Sequence, residues 1–400
     1  MRIAMLADVY KPRINGVTNH IALTKRYLEN AGHEVFVFTF GDEDYLDEEP
    51  NVIRSPGLPL VDTGYYLNVR YGLQAQRLLQ TMDIVHVHHP FLSGRLAVRY
   101  CKPRAIPIVF TNHTRYDLYA QAYLPIIPEM VGEVFLQAYL PSFCRECDLV
   151  IAPSEGMRTV MQDFGVYTPI AVSPNGVELA PFQAGVDPFP RSSLGFCEED
   201  VLLIYTGRLG PEKNLPLLLR AFAGVSKTFD HLGLLLVGDG PERENLEDRV
   251  YYMGLQDRVC FTGMLPYSEM PRYLATADFF ATASITEVHP LSVIEAMAAG
   301  LPILGIRSPG VADIVEDGHT GYLAQEEDVA IFTAKMVRMV IDHESRVRMG
   351  LRAVQEASDY AIENTVGILQ EHYRRMLQAR EGRKPDLRQR WSSFVDGLRR

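Results

Sequence analysis

Long hydrophobic runs are missing from this 400-residue chain. No stretch approaches the roughly 20 apolar residues that a membrane span requires. The apolar start MRIAMLA is broken at Asp8, which excludes a signal peptide there. Cysteine is scarce as well: Cys101, Cys144, Cys147, Cys197 and Cys260 are too few and too scattered for a disulfide framework. Cys144 and Cys147 form a lone C-x-x-C with no second pair to complete a zinc site. Positive charge is not in surplus, and the net charge of −11 argues against nucleic acid as the partner of the whole chain. Glycine is sparse in the first loop, VYKPRINGVTNH, which has only Gly16 where a dinucleotide-binding enzyme carries G-x-G-x-x-G. Together these absences describe a cytoplasmic protein, either soluble or attached to a membrane surface.

What is present is alternation. Short β runs (Arg2 to Ala7, Glu34 to Phe38, Ile84 to His88, Pro107 to Thr111, Leu149 to Ala152, Ile170 to Val172) are separated by helical stretches, the βαβ signature of parallel sheets covered on both faces. Gln183 to Asp200, rich in proline, glycine and polar residues, reads as a linker. A second series follows with VLLIYTG, LGLLLVG, RVCFTG, FFATAS and PILGI. Four hundred residues suffice for two such domains, each with its own core. The fold class is α/β, two domains with a crevice between them.

Chemistry-bearing residues cluster after these strands, where open α/β sheets bind ligands. Asn15-Gly16 reads as a tight turn that lets backbone approach a ligand. In TGRLGPEKNLPLLLRAF, Arg208 and Lys213 stand at the start of a helix, and two cations with a helix N-terminus make a diphosphate site. In FFATASITEVHPLSVIEAMAAG, Glu287 and Glu295 have seven residues between them. Pro290 suits a first helical position. Carboxylates repel phosphate, so this pair suits hydroxyl groups on either side of a diphosphate. His113 ends the buried strand PIVFTN, where it can contact a reacting group. His86, His88 and His89 lie close together, and a metal pair from His86 and His88 is conceivable, but without an acidic or cysteine partner nearby, strand-end packing is the better reading. VGDGPERENLE reads as a simple strand-to-helix turn.

In this order, the NGV loop, DIVHVHHPF, the strand ending at His113, IAPSEGM, SPNGVELAPF, GRLGPEKNL, VGDGPE, RVCFTGML, the E-x7-E pair and SPGVADIVEDGHTGYL resemble the retaining glycosyltransferases of family 4, over about residues 1 to 377. The resemblance implies a GT-B fold of two Rossmann-like domains with parallel sheets facing across a central cleft, an acceptor-side domain at 1–173, a nucleotide-sugar domain at 174–357, a helix at 358–378 returning to the first domain, and a basic tail at 379–400. It implies that Arg208 and Lys213 hold the donor diphosphate, that Glu295 takes the ribose hydroxyls and Glu287 those of the transferred sugar, and that Gly16 lies near the phosphates. His113 would stand near the reacting carbon, and Phe261, Gly263 and Leu265 would frame the base. No bound cofactor or metal is implied; the nucleotide sugar is a substrate.

The chain departs from the family pattern at His289 and Pro290, where a glycine following an aromatic is usual. Pro290 removes a backbone donor, so the amides of Leu291 and Ser292 would contact the donor, with His289 available for a hydroxyl or phosphate. HTRYDLYAQAYLP resembles the stretch found in members that glucosylate diacylglycerol, which favours UDP-glucose as donor and a lipid as acceptor. The alternatives are transfer from GDP-mannose to phosphatidylinositol or another acceptor, and a silent sugar-nucleotide-binding protein. Arg95, Arg99, Lys102 and Arg104 beside apolar residues suit docking on an anionic bilayer at the inner face of the plasma membrane. The tail has seven basic residues against three acidic and holds Trp391, Phe394 and Leu398 on a possible helical face, which suits membrane contact.

Overall fold

The computed structural model describes residues 1–42, 44–59, 66–68, 70–116, 118, 129–183, 185–325 and 328–383. Its strands are β1 (Arg2–Leu6), β2 (Glu34–Phe40), β3 (Val52–Ser55), β4 (Leu58–Pro59), β5 (Tyr66–Leu67), β6 (Ile84–Val87), β7 (Ile108–Thr111), β8 (Leu149–Ala152), β9 (Ile170–Val172), β10 (Val201–Thr206), β11 (Leu232–Val237), β12 (Val259–Gly263), β13 (Phe279–Ala281), β14 (Ile303–Ile306) and β15 (Gly321–Ala324). The first sheet has the order β3-β2-β1-β6-β7-β8-β9 and the second β12-β11-β10-β13-β14-β15, every pairing in both being parallel. β4 and β5 form a separate antiparallel pair.

Both faces of each sheet are covered, which is why the strands are apolar throughout rather than alternating. Phe38, Val85 and Phe110 point into one core of the first sheet, Met5, Val37 and Val109 into the other. The second sheet is built likewise, with Leu203 and Phe279 on one face and Ile204 and Phe280 on the other. Strand order reverses between β1 and β6 in the first sheet and between β10 and β13 in the second. At such switch points adjacent loops diverge and leave a crevice beyond the carboxyl ends of the strands.

Asn15 and Gly16 do not make the expected tight turn. Asn15 is extended (φ −155°, ψ 174°), and its side chain accepts from the amides of Val17 and Thr18, both at 2.9 Å. Thr18 returns a bond to the Asn15 amide at 2.9 Å, so the pair starts the helix Gly16–Asn30 as a capping box. The expected linker is not free either. Arg191 donates to the carbonyls of Thr276 and Asp200 and pairs with Asp278 at 3.0 Å, while Phe196 is buried in the second domain.

The helix Ile362–Arg383 runs past the expected end at 378. Ile362, Val366, Leu369 and Tyr373 pack with Ile3, Met5 and Ile21 of the first domain, and the Tyr373 hydroxyl meets His86 Nδ1 at 2.6 Å. The strand FFATAS ends at Ala281, three residues before Ser284, and Val52–Ser55 and Gly321–Ala324 are strands that periodicity does not reveal. Most of HTRYDLYAQAYLP, and the tail from 384, lie outside the described residues.

Candidate active site

The residues after β10 and β13 meet at the switch point of the second sheet. Arg208 leads a loop that closes in a 3-10 turn, Pro211–Lys213, with the helix Leu215–Ser226 beginning two residues on. Lys213 therefore stands two residues short of that helix. Its Nζ lies 2.7 Å from Glu287 Oε1, the two side chains being 21% and 16% exposed. Arg208 is 51% exposed and pairs with Glu212 at 2.8 Å. The Glu212 carbonyl accepts from the hydroxyls of Ser284 at 3.2 Å and Thr286 at 3.4 Å, which ties the two loops together.

Two glycines make these loops possible. Gly310 donates its amide to the Glu287 carbonyl at 3.1 Å, and a Cβ there would sit 2.3 Å from the Val288 carbonyl carbon. Gly238, at φ +134°, lies so close to the Gly207 carbonyl that a Cβ would meet its oxygen at 2.0 Å. The VGDGPE segment thus braces the Arg208 loop, a role beyond a plain turn.

Pro290 is the N-cap (φ −74°, ψ 119°) of the helix Leu291–Ala298 rather than its first residue. Val293 and Ile294 donate to the Pro290 carbonyl at 3.2 and 3.4 Å. As the first two helical positions, Leu291 and Ser292 have amides with no intrahelical acceptor, free to meet an anion. Glu295 is only 7% exposed and accepts from the Tyr267 hydroxyl at 2.8 Å. Burial pushes its carboxyl up to about 7, against the lowering effect of that hydroxyl. Phe261 and Gly263 (φ +72°) lie in the last half of β12, and Leu265 packs on the same core as Leu291. Tyr267, from this same segment, brings the expected base-framing residues up to Glu295.

The first sheet contributes imidazoles. His113 Nε2 lies 2.9 Å from His88 Nδ1 with the rings stacked at 5.2 Å, and His20 of the helix Gly16–Asn30 approaches His113 at 5.0 Å between ring centres. His20, His88 and His113 can each present a nitrogen within 4.8 Å of the others, so among the described residues of this site these three, and not the conceivable pair of His86 and His88, could hold a metal ion. His86 is engaged with Tyr373 and Thr111 at 2.6 Å each, the packing role expected of it. Burial holds His20 down to about 4, His86 to about 3, and His88 and His113 well below the usual imidazole range. All are neutral near pH 7, and a neutral imidazole offers one donor and one acceptor.

His289 is buried, pushed down to about 3, with Nδ1 unpartnered, and its carbonyl accepts from Asn175 Nδ2 at 3.0 Å, in the segment that connects the two sheets. A Cβ on Gly16 would meet nothing within 4 Å, so the amino end of that helix opens on free space. Lys213 is thus brought against Glu287, and Glu295 against the Tyr267 segment. Among the described residues no hydrogen bond joins His113 to Glu287. His20, Tyr267, Asn175 and Gly310 carry no sequence signal of charge or spacing, though Asn175 and Gly310 sit inside the quoted motifs. Arg95, Arg99, Lys102 and Arg104 are exposed, but Leu96, Ala97 and Cys101 beside them face the core. The cluster is basic surface, and much of the apolar segment from Tyr116 to Phe143 expected beside it lies outside the described residues.

Two Rossmann-like domains with their ligand-binding loops at facing switch points make a GT-B glycosyltransferase. Sucrose-phosphate synthase from Thermosynechococcus elongatus shares this fold with a TM-score of 0.77 at 20% identity, over 94% of this chain and 99% of that one. Residues 14–180 match the family described as Glycosyltransferase Family 4, and residues 187–356 that described as Glycosyl transferases group 1. The alpha-monoglucosyldiacylglycerol synthase of Streptococcus pneumoniae is 34% identical over 82% of this chain and 77% of its own length. The enzyme of the same name from Acholeplasma laidlawii is 29% identical over 80% and 84%. The chain belongs to glycosyltransferase family 4.

Proposed function

We propose that this enzyme transfers glucose from UDP-glucose to diacylglycerol with retention, forming an α-glycosidic bond. The observation that carries the reading is the Lys213–Glu287 contact at the second sheet's switch point, a cation for the diphosphate held beside a carboxylate for the sugar. The names of the two relatives support the sugar, the anomer and the acceptor.

In this reading Arg208, Lys213 and the amides of Leu291 and Ser292 stabilise charge as it develops on the leaving diphosphate. The bond from the anomeric carbon to the diphosphate oxygen breaks, its electron pair leaving with UDP. The acceptor hydroxyl adds to the same face, and its proton passes to a diphosphate oxygen. Glu287 holds sugar hydroxyls while Glu295 takes the ribose. Neutral His113 contacts the sugar near the reacting carbon, and His289 is available to a sugar hydroxyl through its buried Nδ1. Phe261, Gly263 and Leu265 frame the base and Gly16 lies near the phosphates. This chemistry requires no metal. The exposed Arg95, Arg99 and Arg104 suit an anionic bilayer, each charge adding about 1 kcal/mol. Among the described residues no helix is long and apolar enough to cross a membrane.

The test is to supply UDP-glucose and GDP-mannose in turn, with and without vesicles containing diacylglycerol, and to identify the product and its anomeric configuration by NMR. An α-glucosyl lipid formed only with UDP-glucose and diacylglycerol is expected. A mannolipid, a β-anomer or transfer only to a water-soluble acceptor would overturn the reading.

A further inference from the structure

A second cationic site lies at the other end of the second sheet. Asp317 and Gly318 lead into β15 at its amino end, and with the helices Val329–Ile341 and His343–Ala357 they enclose a pocket of about 320 Å³. The crevice lies beyond the carboxyl ends of the same strands, so the two sites are separated by the length of the sheet. Lys335, Arg338, Arg348 and Arg352 line the pocket, with Asp317 as its one lining carboxylate.

Four cations line the pocket against one lining carboxylate, with Asp342, Glu344 and Glu356 near them outside it. Asp317 takes Lys335 at 2.9 and 3.0 Å, and the Leu323 amide at 2.8 Å. Arg338 lies over the ring of buried Tyr322 at 4.4 Å and has no carboxylate in ion-pair reach among the described residues. Arg352 meets the His319 ring at 3.0 Å and feels the charge of Glu356 without a hydrogen bond to it among the described residues. Arg348 donates to Ser345 Oγ at 2.7 Å, with Glu344 at a long 3.6 Å. Converging guanidinium groups repel one another, and a concave wall focuses their field. Guanidinium forks match phosphate oxygens two at a time, and the volume falls within the range of small-ligand sites.

We propose that this pocket binds a phosphate group, as a second anion site separate from the one that takes the donor diphosphate. The phosphate can come from a soluble phosphate ester or from a phospholipid headgroup.

The test uses the full-length protein with Lys213→Ala, which disables the crevice site, and the same protein carrying Arg338→Gln and Arg352→Gln in addition. Arg338 is exposed and Arg352 half-buried, and circular dichroism checks that the fold is kept. Glycerol 3-phosphate is titrated calorimetrically into each, and sedimentation with vesicles of phosphatidylglycerol and phosphatidylcholine is measured in parallel. Binding that survives Lys213→Ala and weakens at least 10-fold with the arginine pair changed supports the site. A response to glycerol 3-phosphate assigns it to soluble esters; a response to vesicles alone assigns it to a headgroup. Affinities unaltered by the arginine substitutions in both arms, or no binding in either, would overturn the proposal.

Discussion

Glu295 shows how a functional side chain works against the fold that holds it. Its carboxyl is raised from an ordinary 4.5 to about 7 by burial. Between those values the folded protein keeps a proton that the unfolded chain has released, so stability falls as pH rises through this window and is flat above it. The full difference is about 3 kcal/mol. Glu295→Gln keeps an acceptor for the Tyr267 hydroxyl and removes the charge. The variant should exceed the parent in denaturant-measured stability by up to about 3 kcal/mol at pH 8, with the gain vanishing near pH 4.5. In the proposed reaction the ionised carboxylate takes the ribose hydroxyls, so the KM for the donor should rise as pH drops below about 7, and Glu295→Gln should lose that limb. His113, held neutral by burial, should contribute no limb near neutral pH. Lys213 and Glu287 were readable because charge placed just after an apolar run stands out. Tyr267 and His20 were not, since a tyrosine in a loop and a histidine on an amphipathic helix look like ordinary packing until the chain is folded.

Elements matter here chiefly through the loops they aim. Gly310 begins no long helix and has no positive φ, yet it lets the segment holding Glu287 come within bonding reach. Gly310→Ala should push that segment away and lower kcat/KM by roughly 10- to 100-fold with the fold retained, because ångström-scale misplacement of a positioning group has effects of that order. Gly367→Ala is the control. A Cβ there meets nothing within 4 Å in the helix Ile362–Arg383, so activity should stay unchanged and stability rise by up to about 1 kcal/mol. The long apolar strands were legible from periodicity, and the starts of the main helices from their caps and prolines. Val52–Ser55 and Gly321–Ala324 escaped because four residues containing Arg54 or Gly321 give no alternation to read. Asn15-Gly16 misled because the same dipeptide serves a turn and a capping box; Thr18, three residues after Asn15, decided between them.

Across the whole molecule, two sheets present their switch points to one crevice, and the crossing contacts hold them there. The Gly156 amide reaches Asp313 at 2.6 Å, and Val288 of the second domain is buried in the core of the first. Order and alternation were enough to read the two-domain plan, whereas these contacts join residues more than a hundred positions apart and leave no local pattern. In an acidic chain of net charge −11, an anionic donor is drawn in only where cations are concentrated. Lys213 is the cation most enclosed at the crevice, and it carries the central claim. Calorimetric titration of UDP into the parent and into Lys213→Ala measures that claim directly. The account predicts one UDP per chain and affinity at least 100-fold weaker in the variant; equal affinity in the two proteins would contradict it.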